Sequence, residues 1–188
     1  MNIIDNYIYI YNLGSEGEFL ILPTYPDSIS DSMGSTFQSS TALARSAPVF
    51  SYSYSGPRVV QVNLGLHRDM LYNMNYGKSN FKVEIGDDYV DTLIKKLQAI
   101  AVPSYRASDK SVKPPMVAIR FGNEVFIKGV VQGGVSISYS KPLLENNRYA
   151  QVSVSFTVYE YDPYDADTVA KVGSFRGITN TLSSIYKR

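Results

Sequence analysis

Between residues 114 and 161 the chain alternates. After Pro114 and Pro115, the apolar Val117, Ile119 and Phe121 take turns with Met116, Ala118 and Arg120, and Gly122-Asn123 offers a turn. From Val125 to Tyr139 nearly every odd position is apolar or glycine: Val125, Ile127, Gly129, Val131, Gly133, Val135, Ile137 and Tyr139. Ser136, Ser138 and Ser140 hold the other phase at the far end. Successive side chains of a strand point to opposite faces, so a period of two predicts strands with one buried and one wetter face. Two glycines inside such a pattern, Gly133 and Gly134, predict a bulge or a close backbone approach. Residues 141–147, with Pro142 and the Asn146-Asn147 pair, break the pattern and suit a hairpin loop. Ala150, Val152, Val154, Phe156 and Val158 then alternate with Gln151, Ser153, Ser155 and Thr157 until Asp162-Pro163 stops the run. The rest of the chain must cover the apolar face of these two long strands.

The same reading places other elements. Tyr7 to Tyr11 and Phe19 to Leu22, around Gly14 and Gly17, read as a hairpin whose first strand is β-prone on both faces. Residues 27–45, rich in Ser and Thr with Gly34 inside, read as a loop or irregular arm with Ile29, Phe37 and Leu43 as anchors; a loop that long is usually functional. Residues 49–55 alternate Tyr with Ser, and across Gly56-Pro57 the set Val60, Val62, Leu64 and Leu66 follows, which predicts a second hairpin. Phe81, Val83 and Ile85 suit a short strand. In residues 88–101, Tyr89, Val90, Leu93, Ile94, Leu97, Ile100 and Ala101 form one apolar stripe at helical spacing, with Asp87 or Asp88 as N-cap and Asp91 placed to pair with Lys95. Pro103 ends that helix, and residues 104–113 read as a polar connector. The expected division is one β-domain over residues 1–164, with the arm inserted at about 27–46, and a C-terminal extension over residues 165–188.

Composition narrows the chemistry. A chain of 188 residues can bury a real core as one domain. There is no Cys, which excludes disulfides and thiolate metal sites, and one His, which excludes a multi-histidine site within one chain. A formal charge of +1 gives no electrostatic footprint for nucleic acid or an anionic membrane. Sixteen Tyr against no Trp suits strands and half-buried interfaces, because one end of Tyr is apolar and the other polar. No apolar run approaches the roughly 20 residues of a membrane span, and the N-terminus lacks the marks of a signal peptide, so the expectation is a soluble chain made in a cytoplasm.

The segment PPMVAIRFG, then FIKGVVQGGVSISYS, then a short loop and YAQVSVSFTVYEYDP, resembles the adaptor proteins of contractile phage tails, the tube-initiator and baseplate-hub proteins. Pro114, Pro115, Gly122, Gly129, Val130, Ser136, Ser138 and Glu160 stand where that family carries its prolines, strand-end glycines, serine row and closing glutamate. Residues 46–50 (SAPVF), 66–70 (LHRDM) and the helix ending in 101–105 (AVPSY) extend the likeness, which covers roughly Leu22 to Asp162. The resemblance implies a mainly β (α+β) fold: an antiparallel split β-barrel or sandwich of tail-tube type with one packed amphipathic helix. It also implies a ring, as a homo-hexamer, at the junction of baseplate hub and tail tube. Its neighbours would be other tube and baseplate hub or wedge proteins, and DNA would pass through the lumen without specific binding. The location implied is the virion tail, assembled in host cytoplasm. Whether such a chain initiates the tube, adapts the hub or caps the far end stays open.

Candidate chemistry falls away on inspection. His67-Arg68-Asp69 has the letters of a kinase catalytic loop, but no Gly-rich loop or Asp-Phe-Gly accompanies it. Asp162, Asp165 and Asp167 lack the Gly and distal Glu of a calcium loop, and Gly133-Gly134 is followed by no Lys-Ser/Thr. No nucleophile elbow occurs. The expectation is therefore a structural protein with no catalytic, metal or cofactor residues, whose assembly contacts involve His67, Arg68, Asp69, Ser136, Ser138, Tyr139, Tyr149, Tyr159, Tyr161 and Phe175. The lumen-facing row would be Ser136, Ser138 and Ser140, or else Gln151, Ser153 and Ser155. The rival expectation is a small β-sandwich that binds a ligand or carbohydrate on exposed Tyr rings.

Overall fold

The alternating runs form strands, and their apolar phase faces one core. The structure, a computed structural model, describes residues 6–11, 18–41, 46–72, 88–106, 111–113, 115–122 and 124–161. Eleven strands and two helices occur among them: β1 (Asn6–Tyr11), β2 (Glu18–Ile21), β3 (Ser28–Ser32), β4 (Ser35–Ser40), β5 (Val49–Ser55), β6 (Val59–His67), α1 (Arg68–Tyr72), α2 (Tyr89–Ala99), β7 (Ser104–Arg106), β8 (Ser111–Lys113), β9 (Met116–Phe121), β10 (Val125–Leu143) and β11 (Tyr149–Glu160).

Seven strands make one antiparallel sheet in the order β2-β1-β9-β10-β11-β6-β3. The mainly β class with one packed amphipathic helix holds. The sheet does not close into a barrel among the described residues, where β2 and β3 are its two ends. Ile8 and Ile10 (β1), Val60, Val62, Leu64 and Leu66 (β6), Val117 and Ile119 (β9), and Val152, Val154, Phe156 and Val158 (β11) share a core with α2. Helix α2 contributes Tyr89, Val90, Leu93, Ile94 and Leu97, the stripe set by its helical spacing, and Ile100 joins them. Asp88 is the N-cap, its carboxylate accepting from the Asp91 N–H at 2.7 Å. Strand β1 is buried on both faces, as its pattern predicts; Tyr7 and Tyr9 form a second cluster with Ala118 and Phe126 on the sheet's other side.

Two glycines make close approaches, Gly129 to backbone and Gly65 to a side chain. A Cβ at Gly129 would lie 1.9 Å from the Tyr159 carbonyl oxygen, where β10 and β11 cross closely, and one at Gly65 would lie 2.4 Å from an Asp27 carboxylate oxygen. The Gly133-Gly134 pair is the bulge its place in the pattern predicts. Both residues have positive φ (83° and 85°), and the register jumps from Gln132 opposite Thr157 to Val135 opposite Phe156. Two extra residues preserve the parity, so Val131, Val135 and Ile137 all stay on the core face.

Four expectations are corrected. Residues 27–41 are not an irregular arm, because two strands lie there: β3 joins the main sheet against β6, and β4 pairs with β5. The second predicted hairpin does not form. Strand β6 pairs with β11 and β3, since its alternating valines and leucines belong to the main core, whereas β5 turns back on β4. The connector after α2 contains the two-stranded β7–β8 ribbon. Pro142 lies within β10, at a register slip between Ser140 and Leu143. The tight turn follows at residues 144–148, where Asn147 has φ 60°. The expected strand at 81–85, the anchor Leu43, the domain limit at 164 and the extension at 165–188 lie outside the described residues.

Candidate assembly surfaces

Strand β10 is longer than its neighbour. Strand β9 covers its first edge only from Val125 to Gly129, and β11 covers the opposite edge as far as Leu143. From Val130 onward one edge of β10 therefore has no partner strand among the described residues. This β10–β11 blade presents two unlike faces. Ser136 stands opposite Ser155, Ser138 opposite Ser153 and Ser140 opposite Gln151, and directly opposed residues share a face. The two candidate lumen rows are thus one surface.

That surface continues across the sheet. Gln61, Asn63, Gly65 and His67 of β6 stand opposite Thr157, Ser155, Ser153 and Gln151, and Ser28 and Ser30 of β3 stand opposite Asn63 and Gln61. The Asn63 amide donates to the Ser28 hydroxyl at 2.9 Å across the strands. Four strands therefore share a face of polar side chains, bordered by the Asp27 carboxylate that lies over Gly65 and, further along β10 beyond Gln132, by Lys128. The sequence pattern held only the β10 and β11 parts of it. The β6 and β3 parts needed the correct strand pairing.

A second surface is the β4–β5 hairpin, which is exposed on both faces. Phe37, Phe50, Tyr52 and Tyr54 are 55–66% exposed, and Phe37 meets Tyr52 edge-on with ring centroids 5.7 Å apart. At roughly 150–250 Å² per aromatic side chain, these four expose on the order of 500 Å². A lone two-stranded hairpin is marginal in water, and apolar patches of this size mark interaction sites.

The end of the blade is fixed by ion pairs. Arg68, at the start of α1, is buried and donates to the Tyr149 carbonyl at 2.8 Å, to Asp91 at 2.7 Å and to Asp88. Arg148, in the β10–β11 turn, pairs with Asp91 and lies 3.1 Å from Asp88. Two guanidinium groups and two carboxylates thus tie the turn and α1 to the N-terminus of α2. Burial pushes the Asp88 carboxyl up, but the Asp91 N–H and the two arginines outweigh it and hold that carboxyl below the ordinary range. Burial pulls Arg68 down, and its bonds to Asp91 and Asp88 more than restore it, so it sits above its ordinary value. Tyr7 is raised, because burial outweighs the opposing effect of Arg120.

The residues expected at assembly contacts separate into groups. His67 and Asp69 are exposed at the β6–α1 junction, whereas Arg68 between them is turned inward and holds the subunit together. Ser136 and Ser138 lie on the polar face. Tyr139 and Tyr149 are exposed at the blade's end with ring centroids 6.0 Å apart, Tyr159 is half-buried, Tyr161 is exposed, and Phe175 lies outside the described residues. The aromatic row of β4 and β5 is absent from those expectations, although the alternation of Phe50, Tyr52 and Tyr54 with serine carried the signal. An open hollow of about 380 Å³ lies between Tyr25, Pro26 and Ile29 and the β9–β10 turn, and Glu124 is the charged residue among its described lining. Among the described residues no three His, Asp or Glu side chains gather as a metal site would require, and no helix is long and apolar enough to cross a membrane.

No family model and no curated protein matches this sequence. Among solved structures, a chain from the tail of an empty GTA particle, computed with helical refinement and C6 symmetry, overlaps 88% of this chain and 99% of its own. The two are 14% identical, with a TM-score of 0.40.

Proposed function

We propose that this chain is a non-enzymatic structural subunit of a contractile phage tail, at the junction of baseplate hub and tail tube, which forms or initiates the tube by assembling as a ring of six. The observation that carries the reading is the polar face of β10, β11, β6 and β3, which has no charged side chain from Gln132 to Ser140 of β10 or along the β11 and β6 residues opposite them. A wall that lets DNA slide past must not hold it, and binding to DNA is dominated by Lys and Arg contacts to phosphate. A face of Ser, Gln, Asn and Thr, with the Asp27 carboxylate and Lys128 only at its borders, suits such a wall. The edge of β10 that has no partner among the described residues supports the same reading, because an unpaired edge is a template for another strand and a closed ring covers every such edge. The resemblance of residues 22–162 to tail adaptor proteins supports that place in the particle.

The β4–β5 arm then reaches a neighbouring subunit, where its aromatic face is covered. Native mass spectrometry of the full chain tests the reading. A six-membered ring is expected; a chain that stays monomeric at high concentration and binds glycans through Tyr52 and Tyr54 would replace it with the carbohydrate-binding alternative.

A further inference from the structure

The β4–β5 arm leaves the main sheet through two short links, one between β3 and β4 and one between β5 and β6. Gly34 lies in the first and Gly56 in the second. A single bond joins them there, from the Gly56 N–H to the Gly34 carbonyl at 2.8 Å. A Cβ at Gly34 would touch nothing within 4 Å, so the backbone at that position is not enclosed by its surroundings. The arm's own side chains are exposed on both faces and cannot set its direction either.

Just inside the links stands Arg58, which is 3% exposed. Its Nε donates to both carboxylate oxygens of Asp31 at 2.9 and 3.1 Å, and its Nη2 reaches Oδ2 at 2.6 Å. Asp31 belongs to β3, the leg of the arm opposite Arg58. The remaining nitrogen, Nη1, donates to the Phe126 carbonyl at 3.0 Å and lies 3.7 Å from Glu160 Oε2. Arg58 and Asp31 therefore form a rung between the two legs, and Phe126 and Glu160 fasten that rung to β10 and β11 at the middle of the sheet. A planar guanidinium gripping a carboxylate at two points fixes angle as well as distance.

We propose that the Arg58–Asp31 rung is a positioning device that sets the direction of the aromatic arm, so that all subunits present it at one angle to their neighbours. The assembly half of this inference rests on the proposed ring. Arg58 and Asp31 need touch no neighbour; they act through the arm.

The chain has no cysteine, so two can be placed without interference. With Ser53→Cys on the arm and Ser153→Cys on β11, both at exposed positions, paired spin labels report the arm's angle as a distance distribution. Asp31→Asn removes the charge of the rung and one of its two acceptor oxygens, at its partly exposed end, and leaves Arg58 its bond to Phe126. Arg58→Met is the harsher companion. Asn63→Ala removes a different contact between β3 and β6, the one to Ser28, away from the links. The rung predicts one narrow distance in the parent and in Asn63→Ala, a width at least doubled in Asp31→Asn, and ring yield lowered at least tenfold in Asp31→Asn. A distribution as narrow in Asp31→Asn as in the parent overturns the proposal. So does equal broadening in Asn63→Ala, since β3 would then be a general tie without a directing role. If the distance broadens while rings form unchanged, the rung sets the arm's angle but the arm is not a ring contact. If the parent itself forms no rings, the failure belongs to the proposed function.

Discussion

Replacing Leu97 by Ala probes the joint between helix and sheet on which the fold depends. Leu97 is fully buried in the core shared by α2, β6, β9 and β11. Truncation removes three carbons from that core, a transfer loss of about 2.4 kcal/mol at ~0.8 kcal/mol per buried carbon. The surrounding strands are tied by backbone ladders and cannot close the gap fully. A residual void of ~40 Å³ adds about 1 kcal/mol at ~24 cal/mol per Å³. The expected cost is therefore about 3–4 kcal/mol. Urea unfolding followed by circular dichroism measures it: with an m-value of ~2 kcal/mol/M, the midpoint falls by ~1.5–2 M at unchanged slope. A loss below ~0.5 kcal/mol, the range of surface substitutions, would refute the placement of the helix stripe against the sheet.

Gly129→Ala should be nearly as damaging despite its small size. The new methyl cannot stay 1.9 Å from the Tyr159 carbonyl, so β10 and β11 must part, at about 1–3 kcal/mol on the scale of overpacked cores; calorimetry checks it. The double change Phe50→Ser with Tyr54→Ser should leave subunit stability within ~0.5 kcal/mol, because both rings are exposed, yet weaken assembly at least tenfold, about 1.4 kcal/mol, by sedimentation. Acid should loosen the blade's end. Asp88 titrates lower folded than unfolded, so its contribution is complete above the ordinary Asp range near pH ~3.9 and is lost as pH falls through the lower folded value. Thermal melts of the parent and Asp88→Asn across that window should converge toward the acid end; a constant gap would contradict the sign.

The long alternating runs made much of this fold legible in the sequence. Val152 to Val158 and the stripe from Tyr89 to Leu97 could be read because each has one buried face with a clean period. Strand pairing was not legible in the same way. Val60 to Leu66 alternates as well with β5 as with β11, and only the shared core selects β11. Strands β3 and β4 were hidden because their side chains are almost all exposed, so the hydrophobic pattern that reveals a strand was missing. The polar face suffered from both effects: its serines on β10 and β11 stood out, while Gln61, Asn63, Ser28 and Ser30 joined them only through pairing. Arg68 was misplaced for a related reason. Its neighbours His67 and Asp69 are exposed, but where β6 gives way to α1 the backbone turns the middle residue inward to the carboxylates of α2.

The most direct measurement is electron cryomicroscopy of the tail particle that contains this chain, at a resolution that traces strands. The account predicts six copies in a ring, with the face of Ser136, Ser138, Ser153 and Gln61 turned to the channel and the free edge of β10 beyond Val130 paired with a strand of the next subunit. A chain found on the outside of the tail, present in three copies or one per ring, or with that edge of β10 left open to solvent would contradict it.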